Sequence, residues 1–337
     1  MKGNEGKTGR IISFLLAAGL LLGCYFVGLR YVVYNLSSED VETVETKHNV
    51  TLVPKGTTAA FWQLVFTGAN TAATEYNLNL TISGPDNEED YEGQNQLIRE
   101  AVEEGAEAIV LSAIDYERNA QAVDEAAAAG VKIVVIDSDV NSEAPSCRIS
   151  TDNYEAGRQV FEAMRALTDE ELKVGTVNFY EDTANGQERE EGFLDALEAD
   201  GNAELIAQET ALSTTEDSME AVIEMFEEHP EINAVTAFNE WTSLGVGYAV
   251  RELGIADETT VVVFDSNSVS AGMLEQGEID ALIVQSTYAM GYLGVECAYN
   301  LINGKEPESE KVDTATYIIT KDNMYDEESQ KVMFVFD

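Results

Sequence analysis

The sequence predicts an α/β fold of two doubly wound parallel-sheet lobes, preceded by an N-terminal membrane anchor helix. Short apolar runs such as "AEAIVLS" (106–112) and "VKIVVID" (131–137) alternate with amphipathic segments. Strands that are continuously apolar belong to parallel sheets covered on both faces. About ten such strands fall in two series, which suits two lobes in a chain of 337 residues. Ahead of them "IISFLLAAGLLLGCYFVGL" runs nineteen residues, 11–29, without a charge, close to the roughly 20 that span a bilayer.

Taken in order, residues 1–10, "MKGNEGKTGR", carry three basic groups, which assigns them to the cytoplasm and everything beyond the span to the outside. Residues 11–34 form the expected anchor and 35–48 a linker. "LLGC" (21–24) also resembles a bacterial lipoprotein signal, in which Cys24 would be lipidated. The residues that follow it, Tyr25, Phe26 and Val27, favour the uncleaved anchor, because a mature lipoprotein normally continues with a polar linker. Both readings tether a soluble body outside the cytoplasmic membrane.

In the body, strands are expected at 49–53, 78–82, 106–112 and 131–137, with helical segments at 87–104 and 116–129. A second series follows at 173–180, 203–209, 232–238, 260–265 and 279–285, with helices at 186–199, 216–228 and 267–276. Ligands of open parallel sheets bind beyond the carboxyl ends of the strands. Those ends deliver Asp137, the loop leading to Arg189, then Asn239, Asp265 and Gln285. Each alone reads more readily as a turn former or helix cap; together they suit a polar, uncharged ligand.

Arg189, in "DTANGQEREEGFLDAL" (182–197), stands out. The residues three and four away are Asn185, Gly186, Gly192 and Phe193, none acidic, so the neighbouring glutamates lie on other faces of the helix. Its stripe continues through Phe193, Ala196 and Leu197, the apolar face. A cation there needs a partner from elsewhere, either a structural carboxylate or a ligand.

Composition excludes several functions. With 63 acids against 19 Lys and Arg, a formal charge of −44 opposes nucleic-acid binding and close docking on anionic lipid. Two histidines and three scattered cysteines leave little material for a metal site, a catalytic triad or a disulfide framework. His229 reads as a surface residue at a helix end. Cys147 and Cys297 read as buried small hydrophobes in different parts of the body. No metal, cofactor or catalytic residue is expected.

The segments "FWQLVFTGANTAATEYNLNL", "VVID", "ISTDNYEAGR", "NGQEREEGF", "AFNEWTSLGV", "VVFDSN" and "IVQSTYAMGYLGVECA", in this order and spacing, resemble the periplasmic-type sugar-binding proteins of the ribose/galactose class (type I periplasmic binding proteins). The resemblance covers roughly 49–321. It implies two lobes joined by a three-crossover hinge and a sugar held between them: 49–151 plus 286–314 form the first lobe, 152–285 plus 315–337 the second. It nominates Phe61 and Trp62 as aromatic walls, and Asp137, Ser138, Arg189, Asn239, Asp265 and Gln285 as ligand-binding residues, with Arg189 pointing into the cleft. Two departures stand out. Ribose-type members carry Asn where this chain has Ala59, and Asp-Arg where it has Asp137-Ser138 followed by Asp139, so ribose is not assigned.

The resemblance implies a membrane-tethered, monomeric bacterial receptor on the extracytoplasmic side, without catalysis. It would present a monosaccharide to an ABC importer permease or to a membrane sensor histidine kinase, the anchor favouring sensing. The alternative is the same fold holding an autoinducer-2-like furanone or a nucleoside. A glycosidase working through Asp137 and Asp265 is disfavoured because a nearby arginine lowers carboxyl pKa values. A sugar-responsive repressor would need a basic helix-turn-helix where the apolar span stands.

Overall fold

The computed structural model describes Leu22, residues 24–30 and residues 47–334. Two compact units are distinguished, 1–46 and 47–337. In the first, residues 24–30 are helical, and Tyr25, Phe26, Val27 and Leu29 are exposed. Most of the expected anchor lies outside the described residues; among those described, no helix is long and apolar enough to cross a membrane.

The body opens with β1 (Asn49–Val53), α1 (Ala60–Glu75), β2 (Asn79–Ile82), α2 (Tyr91–Glu103), β3 (Ala108–Leu111), α3 (Ala120–Ala128), β4 (Lys132–Ile136) and β5 (Cys147–Thr151). A second series comprises α4 (Asn153–Leu167), β6 (Leu172–Asn178), α5 (Ala184–Asp200), β7 (Ala203–Thr210), α6 (Thr215–Glu228), β8 (Ala234–Ala237), α7 (Glu240–Leu253), β9 (Thr260–Phe264), α8 (Ser268–Gln276) and β10 (Ala281–Gln285). The chain then returns through α9 (Thr287–Ile302) and β11 (Lys311–Thr314), and ends with β12 (Thr316–Thr320) and α10 (Glu327–Met333).

Two six-stranded sheets result, ordered β11-β5-β4-β3-β1-β2 and β12-β10-β9-β8-β6-β7. Every pairing is parallel except β10 with β12. The chain passes between the sheets after β5, after β10 and after β11. The central strands β3 and β8 are buried at every residue, as runs of Val, Ile, Leu and Ala covered on both faces must be. The half-exposed β2 and β11 close the edges of the first sheet.

Among the described residues, five of the ten body helices start where an Asp, Thr or Asn N-cap accepts a hydrogen bond from a first-turn amide: Asp90 for α2, Asp152 for α4, Thr214 for α6, Asn239 for α7 and Asn267 for α8. Helices α4 and α5 pack at backbone distance, because a Cβ on Gly157 would collide with the carbonyl of Arg189. That contact ties the arginine's backbone to the neighbouring helix.

One expectation is corrected. Cys147 and Cys297 do not lie apart: both are buried in one core cluster where α9 packs on β5, because α9 returns over the first sheet. The C-terminal segment, for which the sequence offered no role, forms α10. It packs on β10 and β12, with Met333 buried and its carbonyl accepting from Ser266 Oγ at 3.3 Å.

Candidate functional site

In each sheet the strand order reverses beside the first strand of its series, β1 or β6. A crevice opens at such a switch point beyond the strand ends. Here the two crevices face one another across a narrow shared space. Lys55, Ala59, Phe61, Trp62, Glu88 and Asp137 line it from the first sheet's side. Phe179, Asn185, Arg189, Asn239, Glu240, Trp241, Asp265 and Gln285 line it from the second.

Asp137 and Asp265 follow β4 and β9, third from the same end of their sheets. Both adopt left-handed backbone, φ 58° and 64°, uncommon outside glycine though tolerated by Asp. Such strain persists only where the surroundings enforce it, and it gathers at functional sites. Asp137 accepts from Ser112 Oγ at 2.8 Å and, across the cleft, from Asn185 Nδ2 at 3.0 Å. Lys55 Nζ stands 3.4 Å from it, donates to Asn185 Oδ1 at 3.3 Å and lies over the Phe179 ring.

Arg189 is 1 % exposed, and each of its three nitrogens donates to a protein acceptor. Nε donates to Asn153 Oδ1 at 2.9 Å, Nη1 to the Phe238 carbonyl at 2.8 Å and Nη2 to Gln285 Oε1 at 2.7 Å. The Phe264 ring lies 4.4 Å from its guanidinium carbon, and the Asp137 carboxylate is 4.0 Å away. Five N–H groups against these three bonds leave two for another partner. Burial lowers the guanidinium's pKa, while Asp265 and Asp137 oppose that shift.

Gln285 completes the relay, accepting from Thr151 Oγ1 at 2.9 Å and donating to Asp265 Oδ1 at 2.7 Å. Burial pushes Asp265 up to about 7, against the pull of Arg189 and the Gln285 hydrogen bond. Glu88 is raised as well, chiefly by burial. It accepts from Trp62 Nε1 at 2.8 Å, fixing the indole behind Phe61, whose ring meets it edge-on at 4.9 Å.

The structure therefore brings Phe61, Trp62, Asp137, Arg189, Asn239, Asp265 and Gln285 to one cleft. Asn239 also caps α7, so the structural reading of that residue and its place in the cleft hold together. Ser138 is not among the lining residues; its Oγ is buried, without a hydrogen-bond partner among the described residues. Sequence reasoning passed over Lys55, Glu88, Phe179, Asn185 and Glu240. Asn185 was detectable, because it lies four residues before Arg189 on the same stripe. Lys55 was not, since nothing local distinguishes a buried lysine from a solvated one.

This chain is similar to known proteins over most of its length. A family profile described as periplasmic binding protein domain matches residues 50–306. The D-ribose/D-allose-binding protein of Pseudomonas aeruginosa is 27% identical over 317 residues, 91% of this chain and 97% of that protein. The D-apiose import binding protein of Actinobacillus succinogenes is 25% identical, over 68% of this chain and 73% of its own length. Among solved structures, a carbohydrate transporter solute binding protein from Agrobacterium radiobacter, in complex with D-arabinose, superposes with a TM-score of 0.83 at 29% identity. That match covers 86% of this chain and all of the other.

Proposed function

The chain belongs to the periplasmic binding protein domain family, and from that premise we propose that it captures one monosaccharide in the interlobe cleft for an ABC importer. It is a binding protein, not an enzyme. The relatives' names, ribose/allose-binding and apiose import binding protein, support the ligand class and the transport role. The uncharged run at 11–29 supports a tether on the extracytoplasmic face of a bacterial membrane.

The observation that carries the reading is spare hydrogen-bonding capacity beside aromatic rings. Asp265 Oδ2 and Glu88 Oε2 accept from no side chain or backbone amide among the described residues, while Arg189, Asn239 and Gln285 keep unused N–H groups. A sugar hydroxyl is donor and acceptor at once, so it needs both kinds of group together. Charged planar groups give it short, directional bonds, and Phe61, Phe179 and Trp241 offer ring surface to its C–H faces. An epimer that leaves one buried group unpaired costs about 1–3 kcal/mol, which supplies stereochemical selectivity.

Both tryptophans, Trp62 and Trp241, line the cleft, so intrinsic fluorescence tests the proposal. Titration with D-arabinose, D-ribose, D-allose and their epimers is expected to give a saturable change with one of them, and Gln285→Ala is expected to abolish it. Binding that survives in Gln285→Ala unchanged would move the site elsewhere.

A further inference from the structure

Helix α1 supplies the aromatic wall, yet its N-cap is Ala59, which offers its first turn no side-chain hydrogen bond. Its leading amides are held from across the cleft. Glu240, the first residue of α7 in the other lobe, accepts from the amide of Ala60 at 3.2 Å with Oε1 and from that of Phe61 at 2.8 Å with Oε2. Oε1 also accepts from Asn267 Nδ2 at 2.9 Å, which braces the carboxylate on its own side. Glu240 is 6 % exposed, and both of its oxygens are engaged with protein.

We propose that Glu240 is a positioning residue that latches the lobes together: it caps α1 only when the cleft is shut, and so couples closure to the placement of the Phe61 ring. A carboxylate at a helix N-terminus is stabilised by the free amides and the helix dipole. This one is buried, and a buried carboxylate is tolerated only while its donors are present. Opening the lobes therefore removes the two amide donors from Glu240 and the cap from α1 in one step, leaving only the Asn267 bond, and the freed groups must be rehydrated. The neighbouring helices α2, α4, α6, α7 and α8 carry caps within their own chain segment, so opening leaves those caps intact.

The effect on affinity rests on the sugar-receptor reading; the effect on closure does not. In the ligand-free full chain, Glu240→Gln is expected to enlarge the radius of gyration in small-angle X-ray scattering, as the lobes part. Calorimetry with D-arabinose and D-ribose is expected to give a Kd raised roughly 10- to 100-fold for the sugar that binds, mostly through a faster off-rate. Ala59→Ser gives α1 a local cap. Added to Glu240→Gln and compared with Ala59→Ser alone, it should restore the thermal midpoint but neither the scattering nor the Kd. Restoration of all three would reduce Glu240 to a helix cap and overturn the latch, as would unchanged scattering in Glu240→Gln. Failure of both sugars to bind the parent chain would count against the assigned ligand, and the scattering would still decide the latch.

Discussion

Replacing Arg189 with Met keeps most of the side-chain volume and removes the charge. Three hydrogen bonds at 2.7–2.9 Å disappear. At about 1.5–3 kcal/mol for each bond to a charged group, the gross loss is roughly 5–9 kcal/mol. Part returns, because a buried guanidinium no longer has to be desolvated and the methionine still packs on Phe264. Removing one member of a buried charged network costs about 3–5 kcal/mol net, and we expect that range here. With a urea m-value of about 3 kcal/mol/M, the unfolding midpoint falls by roughly 1–1.7 M. Urea titration followed by circular dichroism measures it. A shift below about 0.3 M would refute the reasoning, since the fork would then be dispensable to the fold.

Three further outcomes follow from the same geometry. A carboxyl raised in the folded state holds a proton that the unfolded chain has released, so stability falls as pH rises from its ordinary range to its folded value. For Asp265, raised from 3.8 to about 7, the stability difference between Asp265→Asn and the parent should move in the variant's favour from about pH 4 to about pH 7, and a constant difference contradicts this. Gly157→Ala forces a methyl against the Arg189 carbonyl; it should cost about 1–3 kcal/mol and weaken sugar binding, whereas retained affinity would mean that the arginine tolerates displacement. Asn185→Ala removes the 3.0 Å bond to Asp137 across the cleft and should speed ligand release in stopped-flow measurements, so an unchanged off-rate would exclude that contact from closure.

Legibility in the sequence followed burial. The central strands announced themselves because both faces are covered: the runs expected at 260–265 and 279–285 correspond to β9 and β10. The strands left unread, β5, β11 and β12, are partly exposed, and β11 and β12 stand at sheet edges. An edge strand needs no continuous apolar run, so its residues resemble a loop. In the cleft, strand-end logic reached Asp137, Asn239, Asp265 and Gln285 because those positions follow long apolar runs. The carboxylate of Glu88 and the ammonium of Lys55 escaped notice, since their burial arises from the meeting of segments distant in sequence. Glu240 escaped for the same reason: its partners are amides on a helix some 180 residues earlier. The anchor expected at 11–34 falls largely outside the described residues.

The most direct test of the receptor account is a thermal-shift screen of the full chain against pentoses, hexoses, polyols, nucleosides and autoinducer-type furanones. The account predicts saturable stabilisation by one monosaccharide, about 2.7 kcal/mol at a hundredfold excess over Kd, lost in Asp265→Ala. Silence toward every sugar, with stabilisation by a nucleoside or a furanone, would contradict it.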